Sequence, residues 1–528
     1  MTAEAIAARA ATVARNVDGD TSEADASLRV SSGVSSGLLS GASALGAGMI
    51  VERSLGFLAN LLAARLGGAA TFGAYSLAIT TANNISTYAA GGIGSTTVRF
   101  SGKYSRESPG YVTLFRALLI ISVASASIAA AALWLGAAPI ARLLGKPSLT
   151  GLLSWAALSA AGMILLECCR GFLVGQRRLA ALLWLSLTVG VGVVALLPFT
   201  SRLGPVPMIV SQGVVTVGAV AVCLLLYRVL RLAPSSRSVA SAPPLKSMLR
   251  EVWSFGLVQL AGLIGMNAAG WWLTSLVARS DTSMIQMGFF AVSHQVRNMV
   301  ALAPTLLTES SLAVMARGEK NATRTPDQTM ALTTFATMFL SLLLAGAGIL
   351  VAPWGLSLLY GKAYSAASAA ASLALATAVV HMGSGPASAR LTIVSIKTTG
   401  VINTIWAILV AIAATFFLFW RGDASKGMLI YLVAHIVSAV LVLVSLATRH
   451  CVPEGMKAVY VVGMGASVAL AALALFRHAQ PALNPLITGG MFLLLATALA
   501  TLFLTGRRHG WAPDYQTIRM LVRSRLHA

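Results

Sequence analysis

About fourteen apolar stretches, each near twenty residues, fill this chain almost end to end and leave no room for a soluble domain between them. Roughly twenty apolar residues is the length of one helix across a bilayer. Hydrocarbon offers no partner to an unpaired backbone amide, so such stretches fold as helices that satisfy their own hydrogen bonds. The sequence predicts an all-α polytopic membrane protein with about 14 transmembrane helices. Spans are expected near 44–64, 74–97, 112–135, 151–173, 180–199, 206–227, 252–277, 284–308, 329–352, 367–389, 401–420, 428–448, 457–476 and 486–505. Function must then be carried out within the membrane, and every charged residue inside a span becomes a candidate site.

Only 10% of the 528 residues are charged, against about 25% in soluble domains. The net charge of +22 would suggest nucleic acid in a soluble protein. Here it is explained by cytoplasmic loops, which are enriched in Lys and Arg, and no nucleic-acid partner is expected. With the N-terminus inside, connections on the cytoplasmic side and the last tail receive roughly 22 cations, among them Arg99, Lys103, Arg177, Arg178, Lys397 and Lys457, against 8 outside. Both termini are expected in the cytoplasm. Residues 1–35 are polar, rich in Ala and Ser, and read as a disordered tail rather than a secretory signal. A basic tail is expected at 507–528. The Pro- and Ser-rich stretch from Arg228 to Glu251 reads as a linker between six spans and eight.

A weak internal repeat is visible. Leu61-Leu-Ala-Ala-Arg65 followed by Gly73-Ala-Tyr-Ser-Leu-Ala78 is echoed by Ser275-Leu-Val-Ala-Arg279 followed by Gly288-Phe-Phe-Ala-Val-Ser293, at an offset of 214 with one extra residue in the second loop. Arg53 then aligns with Asn267, and Asn83 with Asn298. Two parallel repeats of this kind are a transporter architecture.

Charges within the spans narrow the site. Arg53 lies in the first span beside Glu52; Arg297 lies in the eighth with His294, Gln295 and Asn298 close by; Glu167 and Arg170 lie in the fourth. A central charge costs about 2.5–3.5 kcal/mol on insertion, so these groups face the bundle interior or a wet cavity. Arg53, Arg297, Asn267, Asn83 and Asn298 are predicted to converge on one cavity as substrate-binding residues. Glu167 and Arg170 share a helix face and are expected to pair. Glu52 and Arg53, about 100° apart around the helix, cannot pair face to face. Glu52, Glu167 and Arg170 are therefore candidates for an ion pair or for ion coupling. His381 and His435 are read as packed or hydrogen-bonded within the bundle, with a proton relay as the alternative, and Trp271-Trp272 as interface anchors, with stacking on a sugar as the alternative. Unpaired arginines in a cavity suit an anionic ligand, since guanidinium binds phosphate oxygens in a bidentate manner.

Several chemistries find no support. There is no phosphate-binding loop for ATP, no metal-ligand spacing, no catalytic nucleophile motif and no cofactor signature. The four cysteines form no metal or disulfide pattern.

Arg53-Ser-Leu-Gly-Phe-Leu-Ala-Asn-Leu-Leu-Ala-Ala-Arg-Leu-Gly67 followed by Phe72-Gly-Ala-Tyr-Ser-Leu-Ala78 resembles the opening of Wzx-type polysaccharide flippases, members of the multidrug/oligosaccharidyl-lipid/polysaccharide exporter superfamily. The resemblance implies an N-lobe of six spans (36–230), a cytoplasmic linker (231–250), a C-lobe of six spans (251–450) and two extra spans (451–506). It implies movement of undecaprenyl-diphosphate-linked oligosaccharide across a bacterial inner membrane by alternating access, for exopolysaccharide, capsule or O-antigen synthesis. Expected partners are that polyprenyl-diphosphate oligosaccharide, membrane lipid, and polysaccharide polymerase or chain-length and export proteins. It also implies a cationic cavity, here with Arg53 in one lobe and Arg297 in the other. The alternatives are a cation-coupled multidrug antiporter using Glu52 and Glu167, and a membrane polymerase or ligase, which the short outer loops disfavour.

Overall fold

A computed structural model of the chain describes residues 48, 50–104, 108, 110–229, 243–261, 264–317, 325–419 and 422–512. The expected N-terminal tail, residues 231–242 of the linker and residues 513–528 of the basic tail lie outside them. The described chain is helical, with no strand among the described residues. Its helices are α1 (Ile50–Ala90), α2 (Ile93–Lys103), α3 (Tyr111–Leu143), α4 (Thr150–Gly175), α5 (Leu179–Ser201), α6 (Pro205–Val229), α7 (Leu245–Ala261), α8 (Ile264–Ser280), α9 (Ile285–Arg317), α10 (Pro326–Tyr360), α11 (Ser368–Val394), α12 (Ile396–Leu418), α13 (Ala424–Ala447), α14 (Met456–Ala479) and α15 (Asn484–Arg508).

Among the described residues, eleven helical segments are long and apolar enough to cross a membrane, and the chain is a multi-pass membrane protein. The difference from fourteen has physical causes. The first two expected spans are joined: helix continues from Ile50 to Ala90 through the expected connection, turning at Gly68, whose φ of +76° an L side chain rarely adopts. The second span ends at Ala90 rather than 97, because Gly91 and Gly92 both have positive φ and start the short helix α2. The seventh span is carried by α7 and α8, each 17 residues long. The eighth, α9, is long enough but polar, with Gln286, His294, Gln295, Arg297 and Asn298 along it. The linker is also shorter than expected, since Leu245–Arg250 belong to α7.

The helices run between two ends of a bundle. One is rich in cations and holds Arg99, Lys103, Arg177, Arg178, Lys397 and Lys457. The other is poor in them and holds the turns at Gly68, Gly145, Gly204, Gly361 and the α8–α9 connection. In the first half α4 is the central helix and in the second α11, with 56% and 83% of their apolar windows buried. Gly171 and Gly175 let α4 meet the backbone of α2, as small residues do wherever membrane helices come close. α14 is fixed on α10 by a different device. Pro353 removes the amide that would bond the Ile349 carbonyl; Arg477 donates to that oxygen at 3.1 Å and to the Leu350 oxygen at 2.9 Å. Outward-facing positions such as Leu135, Phe416 and Leu486, each more than three-quarters exposed, form the surface that lipid would cover.

The two halves meet near the cation-poor end, where α1 crosses α9. A Cβ on Gly73 would lie 2.2 Å from the Met284 carbonyl oxygen, and a Cβ on Gly288 would lie 2.2 Å from the Ala69 oxygen. Met284 stands 215 residues after Ala69, and Gly288 the same distance after Gly73. The contact is therefore reciprocal, as a two-fold relation between the repeats requires. The turn feeding α9 into this crossing is held by buried Asp281, which accepts the Gln286 amide at 2.6 Å and the Met287 amide at 3.3 Å. At the cation-rich end the halves touch through other groups. Lys103 and Glu251 lie 3.4 Å apart, the Arg99 guanidinium stacks 4.3 Å over the Phe255 ring, and a Cβ on Gly256 would lie 2.6 Å from the Gly91 oxygen. The ion pair is half exposed and contributes at most about 1 kcal/mol.

Gly73→Ala and Gly288→Ala should each destabilise the purified protein by about 1–3 kcal/mol, the cost of overpacking. The double variant should cost less than the sum, because one methyl already parts the helices. Gly465→Ala, with nothing within 4 Å of its added carbon, should be neutral or slightly stabilising. Thermal unfolding in detergent measures all four, and strict additivity at Gly73 and Gly288 would rule out the reciprocal crossing.

Candidate functional site: a central cavity between the halves

Immediately below that crossing lies a cavity of about 670 Å³, lined from both halves. Its walls are built by one face of α1 and one of α9. Phe72, Tyr75, Ser76, Ile79, Thr80 and Asn83 line it from α1; Met287, Phe290, Ala291, His294, Gln295 and Asn298 line it from α9. Each set follows the 3, 4, 7, 8, 11 spacing of a single helix face. The two sets correspond residue for residue at an offset of 215. Further contacts repeat the relation. The Tyr75 hydroxyl donates to Gln212 Oε1 on α6, and the equivalent Phe290 stacks on Tyr431 of α13 with ring centroids 6.4 Å apart.

The relation breaks down in chemistry. On the first-half wall the polar groups are amides and hydroxyls: Asn60, Ser76, Thr80, Asn83, Asn84 and Gln212. The second-half wall also has uncharged polar groups, Asn267, Thr274, Gln295 and Asn298, and adds one cation, Arg297, among aromatic rings. Arg297 occupies the position equivalent to buried Ala82. One of its Nη atoms is 3.0 Å from His381 Nδ1, and its guanidinium carbon is 5.9 Å from the Tyr431 ring centroid. The His381 and His435 rings are 4.7 Å apart; Trp406 and Tyr431 complete the group. No Asp, Glu or Lys is among the lining residues, and among the described residues no three His, Cys, Asp or Glu converge as metal ligands.

Four of the predicted ligand residues, Arg297, Asn267, Asn83 and Asn298, line this cavity. Arg53 does not. It lines a smaller cavity of about 390 Å³ with Phe57 and Met299, which shares Asn60, Gln295 and Asn298 with the large one. Among the described residues Arg53 forms no ion pair. Gln295 joins the halves here, donating to the Phe57 carbonyl at 3.0 Å.

The expected pair of Glu167 with Arg170 does not form. Arg170 instead reaches Glu52 on α1 at 2.7 Å, and the Ser186 hydroxyl donates to the other Glu52 oxygen at 3.1 Å. The carboxyl of Glu167 lies over Gly94, filling the space a side chain there would take. An i,i+3 spacing permits a contact but does not compel it, and Glu52 is the partner that α1 brings to the same depth. The tryptophans also depart from their expected role as anchors. Trp271 Nε1 donates across the halves to Thr81 at 3.1 Å and lines the cavity, while Trp272 bonds Thr415 on α12 at 2.8 Å.

Sequence reasoning missed Tyr75, Gln212, Trp406 and Tyr431. The first had a signal: the repeat offset, extended along α1, pairs Tyr75 with Phe290. Gln212 had one too, as a polar side chain inside the sixth span, whereas Trp406 and Tyr431 sit in apolar spans without one.

Residues 38–303, just over half of the chain, match the family model described as polysaccharide biosynthesis protein. The chain belongs to that family. No curated protein matches it in sequence. Among solved structures it is similar to the lipid II flippase MurJ in an inward closed conformation, with 13% identity, a TM-score of 0.62, and 85% of this chain and 97% of that one covered. It is also similar to a multidrug resistance MATE transporter of the MOP superfamily in an inward-facing conformation, with 15% identity, a TM-score of 0.59, and 77% and 95% covered. The fold of this family member is that of the MOP superfamily, as the resemblance at residues 53–78 implied.

Glu52→Ala should leave the part-buried Arg170 charge unpaired and destabilise the protein by about 3–5 kcal/mol. Glu52→Leu with Arg170→Met should recover most of that loss in a thermal-unfolding series. Full stability in the single variant, together with lost function, would assign Glu52 to ion coupling instead.

Proposed function

We propose that this protein moves a lipid-linked oligosaccharide across the membrane, binding its diphosphate against Arg297 and its sugars against the amide and hydroxyl wall. One observation carries the reading: a cavity that is two-fold in shape and lined throughout by uncharged donors and acceptors has, among the described residues, its one cationic side chain, Arg297, on a single wall. A diphosphate-linked sugar has the same division, with two negative charges at one end and hydroxyls at the other. Guanidinium matches phosphate oxygens in a fork, and Asn and Gln side chains supply both donor and acceptor to sugar hydroxyls. A volume of about 670 Å³ falls in the range of sites for compact ligands, about 300–1,000 Å³. It suits the head of the ligand, leaving the polyprenyl chain in lipid.

Family membership supports a place in polysaccharide biosynthesis, and the fold is shared with a lipid II flippase. The described lining residues give a cation antiporter no carboxylate, and Glu52 is engaged by Arg170. Arg53, in the adjoining cavity, serves as a first cation on the path to Arg297. The six-span lobes at 36–230 and 251–450 rock against each other, the glycine crossing and the Lys103–Glu251 end parting in turn. The two spans at 451–506 pack on α10 and α11 and move with the second lobe. Polymerase and chain-length proteins would take up the delivered unit.

Arg297→Ala should abolish polysaccharide export at unchanged protein level, and Arg53→Ala should reduce it. Both should accumulate a complete undecaprenyl-diphosphate-linked unit that an external probe cannot reach. Unimpaired export in Arg297→Ala would overturn the site. Orientation has its own test: alkaline phosphatase fused after Lys362 or Lys426 should be active and after Lys397 or Lys457 inactive, and the reverse pattern would overturn that orientation.

A further inference from the structure

The Arg297–His381 contact fixes more than a position. A guanidinium carries five N–H donors and no acceptor. At 3.0 Å it must donate to His381 Nδ1, so that nitrogen carries no proton and His381 is neutral in this arrangement. A proton arriving at Nδ1 ends the bond, places two like charges in contact and turns Arg297 loose into the cavity. We infer that His381 is a proton-binding site that holds Arg297 back, and that binding of the diphosphate anion at this wall takes up one proton at His381. The inference rests on the reading of the cavity as a diphosphate site.

Of the three histidines in the cluster, His381 is the one in hydrogen-bond contact with Arg297. A carbonyl only accepts, so His435, whose Nδ1 is 2.9 Å from the Tyr431 carbonyl oxygen, already carries a proton there. That nitrogen cannot also accept from Trp406 Nε1, 3.3 Å away. His294 lines the cavity beside the rings of Phe290 and Tyr431. The titratable and charged groups facing His381 are Arg297 and His294 from α9, and Tyr431 and His435 from α13. α12 adds Trp406, which does not titrate here. α10 has no titratable residue between Gln328 and Ala352. α14 contributes Tyr460, whose hydroxyl donates to the Gly383 carbonyl at 3.3 Å. No carboxylate is among the residues lining this wall, so the charge that stabilises protonated His381 must come from the ligand.

The sign follows from linkage. An anion beside the cluster favours the doubly cationic state, so anion and proton bind with positive coupling, and each raises the affinity of the other by the same factor. Affinity should rise as pH falls. The proton also reduces by one the charge that accompanies each diphosphate through the membrane.

The experiment is isothermal titration of the purified full-length protein with P1,P2-dimethyl diphosphate, a diester that stays a dianion throughout the range used. Runs at pH 6 and pH 8, in two buffers of different ionisation enthalpy, count protons. The wild type should bind several-fold more tightly at pH 6 and take up close to one proton per anion near the midpoint of the change. His381→Gln supplies an acceptor that cannot titrate; it should bind weakly at both pH values with no proton uptake. His381→Ala removes the tether and should bind tightly at both. Wild-type binding without pH dependence, or pH dependence that survives in His381→Gln, would overturn the proton site and leave the diphosphate reading standing. No binding by the wild type at either pH would overturn that reading itself.

Discussion

The crossing of α1 and α9 sets the geometry on which everything else depends. Two helix backbones meet at van der Waals distance only where neither presents a Cβ, and Gly73 and Gly288 meet that requirement from equivalent positions. Once the backbones touch there, the helices diverge on the far side. The faces that diverge carry residues 72–83 and 287–298, and their separation is the cavity. A bulkier pair at the crossing would move both walls at once. The closest approach of the halves and the shape of the binding space are therefore one structural fact, and any motion that opens the crossing must also reshape the cavity.

Within that frame the departures from two-fold symmetry carry the chemistry. Shape is inherited from the repeat, as the equivalence of Tyr75–Gln212 and Phe290–Tyr431 indicates. Charge is not, since Ala82 corresponds to Arg297. A symmetric pair of arginines would need a ligand with two equivalent anionic ends, whereas a single cationic wall distinguishes one end of an asymmetric ligand from the other. The desolvation cost of a charge within the bundle is high, and Arg297 meets it without a carboxylate, through His381 and the face of Tyr431. A neutral partner leaves the net charge available to a ligand. Arg170, neutralised by Glu52, does not, and it lies outside the cavity lining.

Much of this was legible in the sequence, for identifiable reasons. Membrane helices were readable because their length and apolarity are dictated by the bilayer. Two of the boundaries that differ do so at glycines: Gly68 makes the turn within α1 where a longer loop was expected, and Gly91 ends that helix early. The cavity residues Arg297, Asn267, Asn83 and Asn298 were readable because polar groups within spans must face inward. The Glu52–Arg170 pair was not, because pairing across helices depends on rotation and depth that no spacing within one helix encodes. Trp271 failed similarly: position near a span's end suits an interface anchor and an inter-half donor equally well.

The repeat offset is the most informative sequence feature, and its segments include Tyr75 and Phe290 of the cavity wall. It aligned Gly73 with Gly288 by identity. Those two residues are the ones whose identity the structure constrains most tightly, because a backbone crossing admits a single residue type. The lining positions between them tolerate exchange of Ile for His or Thr for Gln, since they need only face the cavity. Similarity therefore survives where backbones touch and is lost along the cavity walls. That explains why the sequence alignment of the halves is weak while their geometry is close, and why residues 79–83 and 294–298 have to be compared by their environment rather than by likeness.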